Sequence, residues 1–259
     1  MTRGLMVRQL SVKRGNTPIV HDVTLHLQPG VLASCIGPNG AGKSTLLGAL
    51  AGNFATQGKI TWNGAALERQ MIGHMPQQCQ IDADLTVLQV LLLGRHERLG
   101  IRIKDADLAV AGETLQKLEI MPLAHRRMTS LSGGQQQLVL LGQRLIRQPK
   151  LLLLDEATSA LDMAHQMRVM QLIRDYVQAS GALAIMAIHD LNLAARYSDE
   201  ILLMHAGRLE AKGAFAAAIT PECLERVYGM KAMVLPDIAG AAVIVPLHPM
   251  PLTLQGRYP

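Results

Sequence analysis

The chain has 259 residues, 49% of them apolar and 17% charged, with a formal charge of +5 and a pI near 9.3. That length admits one large domain or two modest ones with a real buried core, and the apolar excess over an ordinary water-soluble chain is enough to reserve some surface for a partner. The longest apolar runs, Leu85 to Leu93 and Ala239 to Val245, fall short of the ~18–20 residues of a membrane-spanning helix. The positive charge is scattered rather than clustered, so charge alone settles neither nucleic acid nor an anionic membrane face as a partner.

Met1 to Leu10 carries two arginines but neither the continuous apolar core nor the small-residue cleavage site of a secretory signal, so a cytoplasmic location is expected. Leu5 to Val12, Ile19 to Leu27 and Val31 to Ile36 read as strands, separated by Gly15, Asn16, Pro29 and Gly30. A helix is predicted from Lys43 to about Ala51, with Gly52 ending it. Lys59 to Trp62 followed by Asn63-Gly64 reads as a hairpin-like element, and Met71 to Met75 as a strand entering a Gln-rich loop. About Thr86 to Gln148 is helical with polar breaks. Leu151 to Leu154 and Ala184 to Ile188 are continuous apolar runs of the kind buried on both faces of a parallel sheet. Between them Met163, Met167, Met170, Ile173 and Val177 recur at spacings of three and four, which predicts a helix with one core-facing stripe and a right-handed crossover. Beyond Pro236 the composition turns to proline and small apolar residues, and an irregular end is expected. Cys35, Cys79 and Cys223 lie far apart without metal spacing and are expected to be reduced and structural.

Two motifs carry chemistry. Gly37-Pro38-Asn39-Gly40-Ala41-Gly42-Lys43-Ser44 matches G-x-x-x-x-G-K-[ST] between an apolar strand and a helix. Its glycines let backbone N–H groups and a helix N-terminus face a phosphate. Lys43 then reaches the β- and γ-phosphates of ATP, Ser44 offers a hydroxyl to Mg²⁺, and Thr45 meets the α-phosphate. The second motif, Leu151-Leu152-Leu153-Leu154-Asp155-Glu156, ends a strand at the sheet edge where open parallel sheets bind ligands. Asp155 would hold Mg²⁺ through water, and Glu156 is the natural general base. Acidic pairs also cap helices after strands, so this motif gains its weight from the phosphate loop.

Leu131-Ser132-Gly133-Gly134-Gln135 resembles the signature motif of ABC transporter ATPases. The resemblance implies an α/β fold of the P-loop NTPase (RecA-like) type, with a mostly parallel sheet core, an antiparallel β subdomain and an inserted helical subdomain at about 86–148. It implies an ATP-binding domain over 1–235 and a Pro-rich extension over 236–259. In such proteins Ser132, Gly133, Gly134 and Gln135 would face the γ-phosphate held by a second copy of the chain. Gln77 matches the glutamine loop that contacts Mg²⁺ and the attacking water. Ser159-Ala160-Leu161-Asp162 is similar to the loop that crosses the dimer interface, and His189 to the switch histidine on the γ-phosphate.

Two positions depart from the family pattern. The aromatic residue that usually stacks on adenine has no counterpart in Leu10 to Val20, where Arg14 falls near that site, and Ala157 stands where a proline commonly follows the carboxylates. The resemblance further implies an importer subunit on the cytoplasmic face of the bacterial inner membrane. Its partners would be a second copy, two transmembrane permease subunits and, through them, a periplasmic or extracellular substrate-binding protein, with no nucleic acid. A soluble nucleic-acid-acting relative would carry two cassettes or a coiled-coil insertion, and an exporter commonly fused membrane helices. His189 to Tyr197, Leu161 to Gln166 and Val227-Tyr228-Gly229 resemble haem, iron-siderophore and cobalamin uptake ATPases, haem most closely.

Overall fold

The computed structural model describes residues 3–77, 84–95, 103–158, 160–238 and 240–249. Strands β1 (Leu5–Arg14) and β2 (Thr17–Leu27) form a hairpin around Gly15-Asn16, and β3 (Leu32–Ile36) runs into α1 (Lys43–Leu50). The strands β4 (Thr56–Trp62), β5 (Ala65–Ala66) and β6 (Ile72–Met75) follow, then the helices α2 (Val87–Leu93), α3 (Asp105–Lys117) and α4 (Gly133–Leu145). The chain returns through β7 (Leu151–Asp155), α5 (Met163–Ser180), β8 (Leu183–Ala187), α6 (Leu191–Tyr197), β9 (Glu200–His205) and β10 (Arg208–Gly213). It ends with α7 (Phe215–Ala218), α8 (Pro221–Tyr228), β11 (Met230–Pro236) and β12 (Ala242–Pro249).

A six-stranded sheet in the order β10-β9-β3-β8-β7-β6 is the centre of the molecule, and only its β9–β10 pairing is antiparallel. Its inner strands β3, β8 and β7 are buried along their whole length because both faces are covered, whereas the edge strand β10 alternates between half-buried and exposed residues. In β7, Leu151 and Leu153 join the core shared with α1 and the antiparallel sheet, while Leu152 and Leu154 join the core under α2, α4 and α5. The second sheet, β2-β1-β4-β5, is antiparallel. In β1 the buried residues are Leu5 and Val7, then Leu10 and Val12. The break in alternation coincides with a register shift at Gln9, whose φ is +51°, so a bulge returns the later residues to the inner face.

Local sequence sets the helix boundaries. Thr86 accepts from the N–H of Gln89 while Gln89 Oε1 accepts from the N–H of Thr86, a reciprocal cap that starts α2. At its far end, Arg95 pairs with the buried Asp107 of α3 at 3.1 Å, which satisfies a carboxylate that burial would otherwise penalise. Residues 96–102 of the predicted helical stretch lie outside the described residues.

Two expectations are corrected. The stripe on α5 is core only from Val169 onward: Met170, Ile173 and Val177 are buried, but Met163 is 74% and Met167 37% exposed, because the first turns of α5 have no part in the core cluster that its later turns join. The C-terminal residues are not irregular up to Pro249. β12 pairs with β11 along its length, and Asn192 of α6 holds Ile244 through its side-chain amide, accepting from the Ile244 N–H at 2.7 Å and donating to its carbonyl at 3.4 Å. The expected break at 236 therefore falls at the end of a strand whose partner follows it. Positions 250–259 lie outside the described residues. Beyond β8 the strand signal is the apolar run Ile201 to Met204 and the turn at Ala206-Gly207, which form β9 and the start of the β9–β10 hairpin.

Asn192→Ala should free the Ile244 N–H and carbonyl at a local cost of about 1–2 kcal/mol. Hydrogen exchange is expected to accelerate roughly tenfold in β12 and to stay unchanged in β7 and β8.

Candidate functional site

The loop between β3 and α1 is shaped by its first glycine. Gly37 has φ +144°, and a Cβ there would lie 2.1 Å from the carbonyl oxygen of Met204 in β9, so no side chain fits. Lys43, the first residue of α1, is 6% exposed, and its Nζ donates to the carbonyls of Gly37 at 2.7 Å and Pro38 at 3.0 Å. Burial lowers its pKa, with Cys35, Glu156 and Asp155 pulling it back. A desolvated ammonium under backbone donors at a helix N-terminus is a strong anion site.

The other half of the site comes from the ends of β6, β7 and β8. Ser44 Oγ donates to Asp155 Oδ1 at 3.0 Å, and Asp155 is only 4% exposed. Burial holds the Asp155 carboxyl above its usual range, and the Ser44 hydrogen bond is the largest opposing influence. Glu156 turns away from its neighbour because its φ is +54°, an uncommon conformation for a side-chain-bearing residue and one found at functional sites. Its two oxygens are engaged separately: Oε2 accepts from Gln77 Nε2 at 2.8 Å, and Oε1 meets His189 Nε2 at 2.5 Å. Adjacent carboxylates thus serve two different groups.

These residues line one pocket of about 620 Å³ comprising Asn39 to Thr45, Gln77, Glu156 and His189, with Arg14 and Ile19 from the β1–β2 hairpin. Gly37 and Pro38 brace it through Lys43, and Asp155 through Ser44. Ile19 was not foreseen, and nothing in its local sequence marks it.

The second motif group lies elsewhere. Ser132 caps α4, its hydroxyl oxygen accepting from the Gln135 N–H at 3.3 Å while Gln135 Oε1 accepts from the Ser132 N–H at 3.1 Å. A Cβ on Gly134 would lie 2.9 Å from Leu161 Cδ2 and 3.1 Å from the Ala160 carbonyl, whereas one on Gly133 would meet nothing. Gly134 thus seats its own chain's 160–162 loop, and Gly133 faces outward. Asp162 caps α5 and accepts from the His165 N–H at 2.9 Å; that backbone hydrogen bond leads the causes that lower its pKa. None of Ser132, Gly133, Gly134, Gln135 or Asp162 lines the phosphate-loop pocket. Ser159 and Cys79 lie outside the described residues. Cys35 and Cys223 are free and buried, and burial pushes the Cys35 thiol up to about 12, which makes it inert.

The profile of the ABC transporter family matches residues 20–159. The chain belongs to the ABC transporter family. Among ABC relatives, hemin import ATP-binding protein HmuV of Myxococcus xanthus is 38% identical over 266 residues, covering 96% of this chain and 99% of that one. HmuV of Bordetella avium is 36% identical, with 94% and 98% covered. Cobalamin import ATP-binding protein BtuD of Halobacterium salinarum is 36% identical over 94% of this chain, which spans 63% of that relative's length. A solved metal-chelate type ABC transporter in an inward-facing conformation superposes with a TM-score of 0.82 at 30% identity, covering 95% of this chain and 98% of that one. A dimeric ATP-binding cassette bound to ADP and Pi in a post-hydrolysis state gives 0.73 at 26% identity, with 82% and 98% covered. The P-loop NTPase α/β fold and the recognition of the ABC family from its motifs are both upheld.

Gly40 also has positive φ, +79°, but a Cβ there would meet nothing. Gly40→Ala should therefore cost only about 1–2 kcal/mol of backbone strain, whereas Gly37→Ala adds a backbone clash and should exceed about 3 kcal/mol. Thermal unfolding of the two variants checks the difference.

Proposed function

We propose that the chain is the ATP-hydrolysing subunit of an ABC importer and that the compound imported is haem. The observation that carries the hydrolytic part is the fixing of Glu156 between Gln77 and His189 at the mouth of a phosphate-loop pocket. Lys43 and the loop amides bind and orient the triphosphate. Glu156 takes the proton of the attacking water, His189 steadies the γ-phosphate, and Gln77 helps to orient that water. Ser44 and Asp155 present hard oxygen donors 3.0 Å apart, too few for a protein cage and well suited to Mg²⁺, which keeps waters and shares phosphate oxygens. Ser44 would bind it directly, Asp155 through water, with Gln77 alongside, and the ion would neutralise charge on the transferring phosphoryl group.

The proposal includes a second copy of the chain, whose Ser132, Gly133 and neighbouring residues would close over the γ-phosphate, while Asp162 would lie at the shared interface. The separation of the signature residues from the phosphate-loop pocket supports this. It also includes two permease subunits and a periplasmic or extracellular substrate-binding protein, with the chain peripheral on the cytoplasmic face of the bacterial inner membrane. Among the described residues no helix is long and apolar enough to cross a membrane. The HmuV relatives support haem. Cobalamin or a ferric siderophore is the second reading, favoured by the BtuD relatives and the metal-chelate type neighbour.

Glu156→Gln should bind ATP normally, lose hydrolysis by about 10²–10⁴-fold and sediment as a dimer with ATP present. Brisk turnover by that variant would remove Glu156 as the base. Transport by the reconstituted complex, with haem, ferric siderophore and cobalamin in competition, reads the substrate, and haem is expected to win.

A further inference from the structure

The nucleotide reading leaves open what holds the base, because the β1–β2 hairpin offers no aromatic side chain toward the pocket. Arg14, the last residue of β1, lines that pocket together with Ile19 and the phosphate loop. Its guanidinium carbon lies 5.1 Å from the centroid of the Phe54 ring, within the range of a cation–π contact. No carboxylate pairs with Arg14 among the described residues. The Phe54 ring is itself seated: a Cβ on Gly48 of α1 would fall 2.5 Å from Phe54 Cε2, so the glycine leaves the space the ring fills. Helix α1, Phe54 and Arg14 form a continuous stack beside the pocket.

The pocket also has a direction. Glu156, His189 and Gln77 gather where the terminal phosphate reacts, at the ends of the parallel strands, while Arg14 and Ile19 belong to the hairpin of the other sheet. A nucleotide whose phosphates follow the loop toward Glu156 sends its base toward the hairpin.

We propose that the adenine of ATP stacks on the Arg14 guanidinium and that Phe54 is a positioning residue that holds that guanidinium flat from behind. A guanidinium is planar and has two faces; the phenyl ring takes one, attracted by the positive charge, and the purine takes the other. Lysine cannot substitute, because an ammonium has no plane. Gly48 matters through the same stack, since a side chain there would displace Phe54. The inference rests on the chain being a nucleotide binder.

Affinities for MgATP and for tripolyphosphate, measured by titration calorimetry on the full chain, test both layers. Stacking a base on a planar group is commonly worth a factor of about ten in affinity. Arg14→Ala and Arg14→Lys are expected to weaken ATP about 5- to 20-fold and to leave tripolyphosphate within about twofold; Arg14→Tyr should restore ATP binding. Phe54→Leu should weaken ATP about threefold beside Arg14 and have no effect in the Arg14→Ala background, the coupling that distinguishes positioning from general packing. Parallel loss of tripolyphosphate would show that Arg14 acts only as a charge and would overturn the stack. Equal losses from Phe54→Leu in both backgrounds would overturn the role of Phe54. A wild-type chain that binds neither ligand would remove the nucleotide reading and this inference with it.

Discussion

Lys43 is buried at the N-terminus of α1, its ammonium hydrogen-bonded to the Gly37 and Pro38 carbonyls. Burial disfavours that charge, and the surroundings are arranged to answer it with anions. The loop can curl so tightly only because Gly37 lies against the Met204 carbonyl of β9. The parallel sheet places β3 beside β8 and β9, and β8 beside β7, which brings Asp155, Glu156 and His189 to the same edge as the loop. The site is thus a consequence of strand order: residues 43, 77, 156 and 189 meet because four parallel strands end together.

Much of this was legible in the sequence. Continuous apolar runs such as Leu151 to Leu154 signal strands buried on both faces, and the structure splits their residues alternately between two cores. The phosphate loop and the Asp155-Glu156 pair announce themselves because anion chemistry demands particular residues at fixed spacing. What stayed hidden depends on tertiary context. The Met163 and Met167 positions share the periodicity of Met170, and only the packing around each turn of α5 separates the buried residue from the exposed ones. β12 is interrupted by prolines, which suggested irregularity, yet a two-stranded edge ribbon tolerates them. Phe54 carries no motif at all and acquires significance only from its position between Gly48 and Arg14.

The two glycines of the signature separate into different tasks. Gly134 makes room for Ala160 and Leu161 of its own chain, tying the α4 N-terminus to the loop before α5, while Gly133 leaves the surface open. An anion approaching that helix N-terminus would meet Gly133 and the hydroxyl of Ser132, whose oxygen already accepts from Gln135 and whose proton remains to be donated. Since neither residue lines the phosphate-loop pocket of the same chain, the proposed ATP site is complete only when a second copy supplies them. ATP would then favour the closed pair by binding it more tightly than the open one, and that difference is the free energy available to a membrane partner.

Mixing two variants, each inactive alone, tests the shared site most directly. Lys43→Ala removes the phosphate anchor and Ser132→Arg blocks the signature, so a mixed pair retains one intact site, built from Lys43 of one copy and Ser132 of the other. ATPase activity of the mixture should return to a substantial fraction of wild type, about a quarter if copies pair at random and sites act independently. A mixture as inactive as its components, with mixed pairs shown to form, would contradict a site divided between two chains.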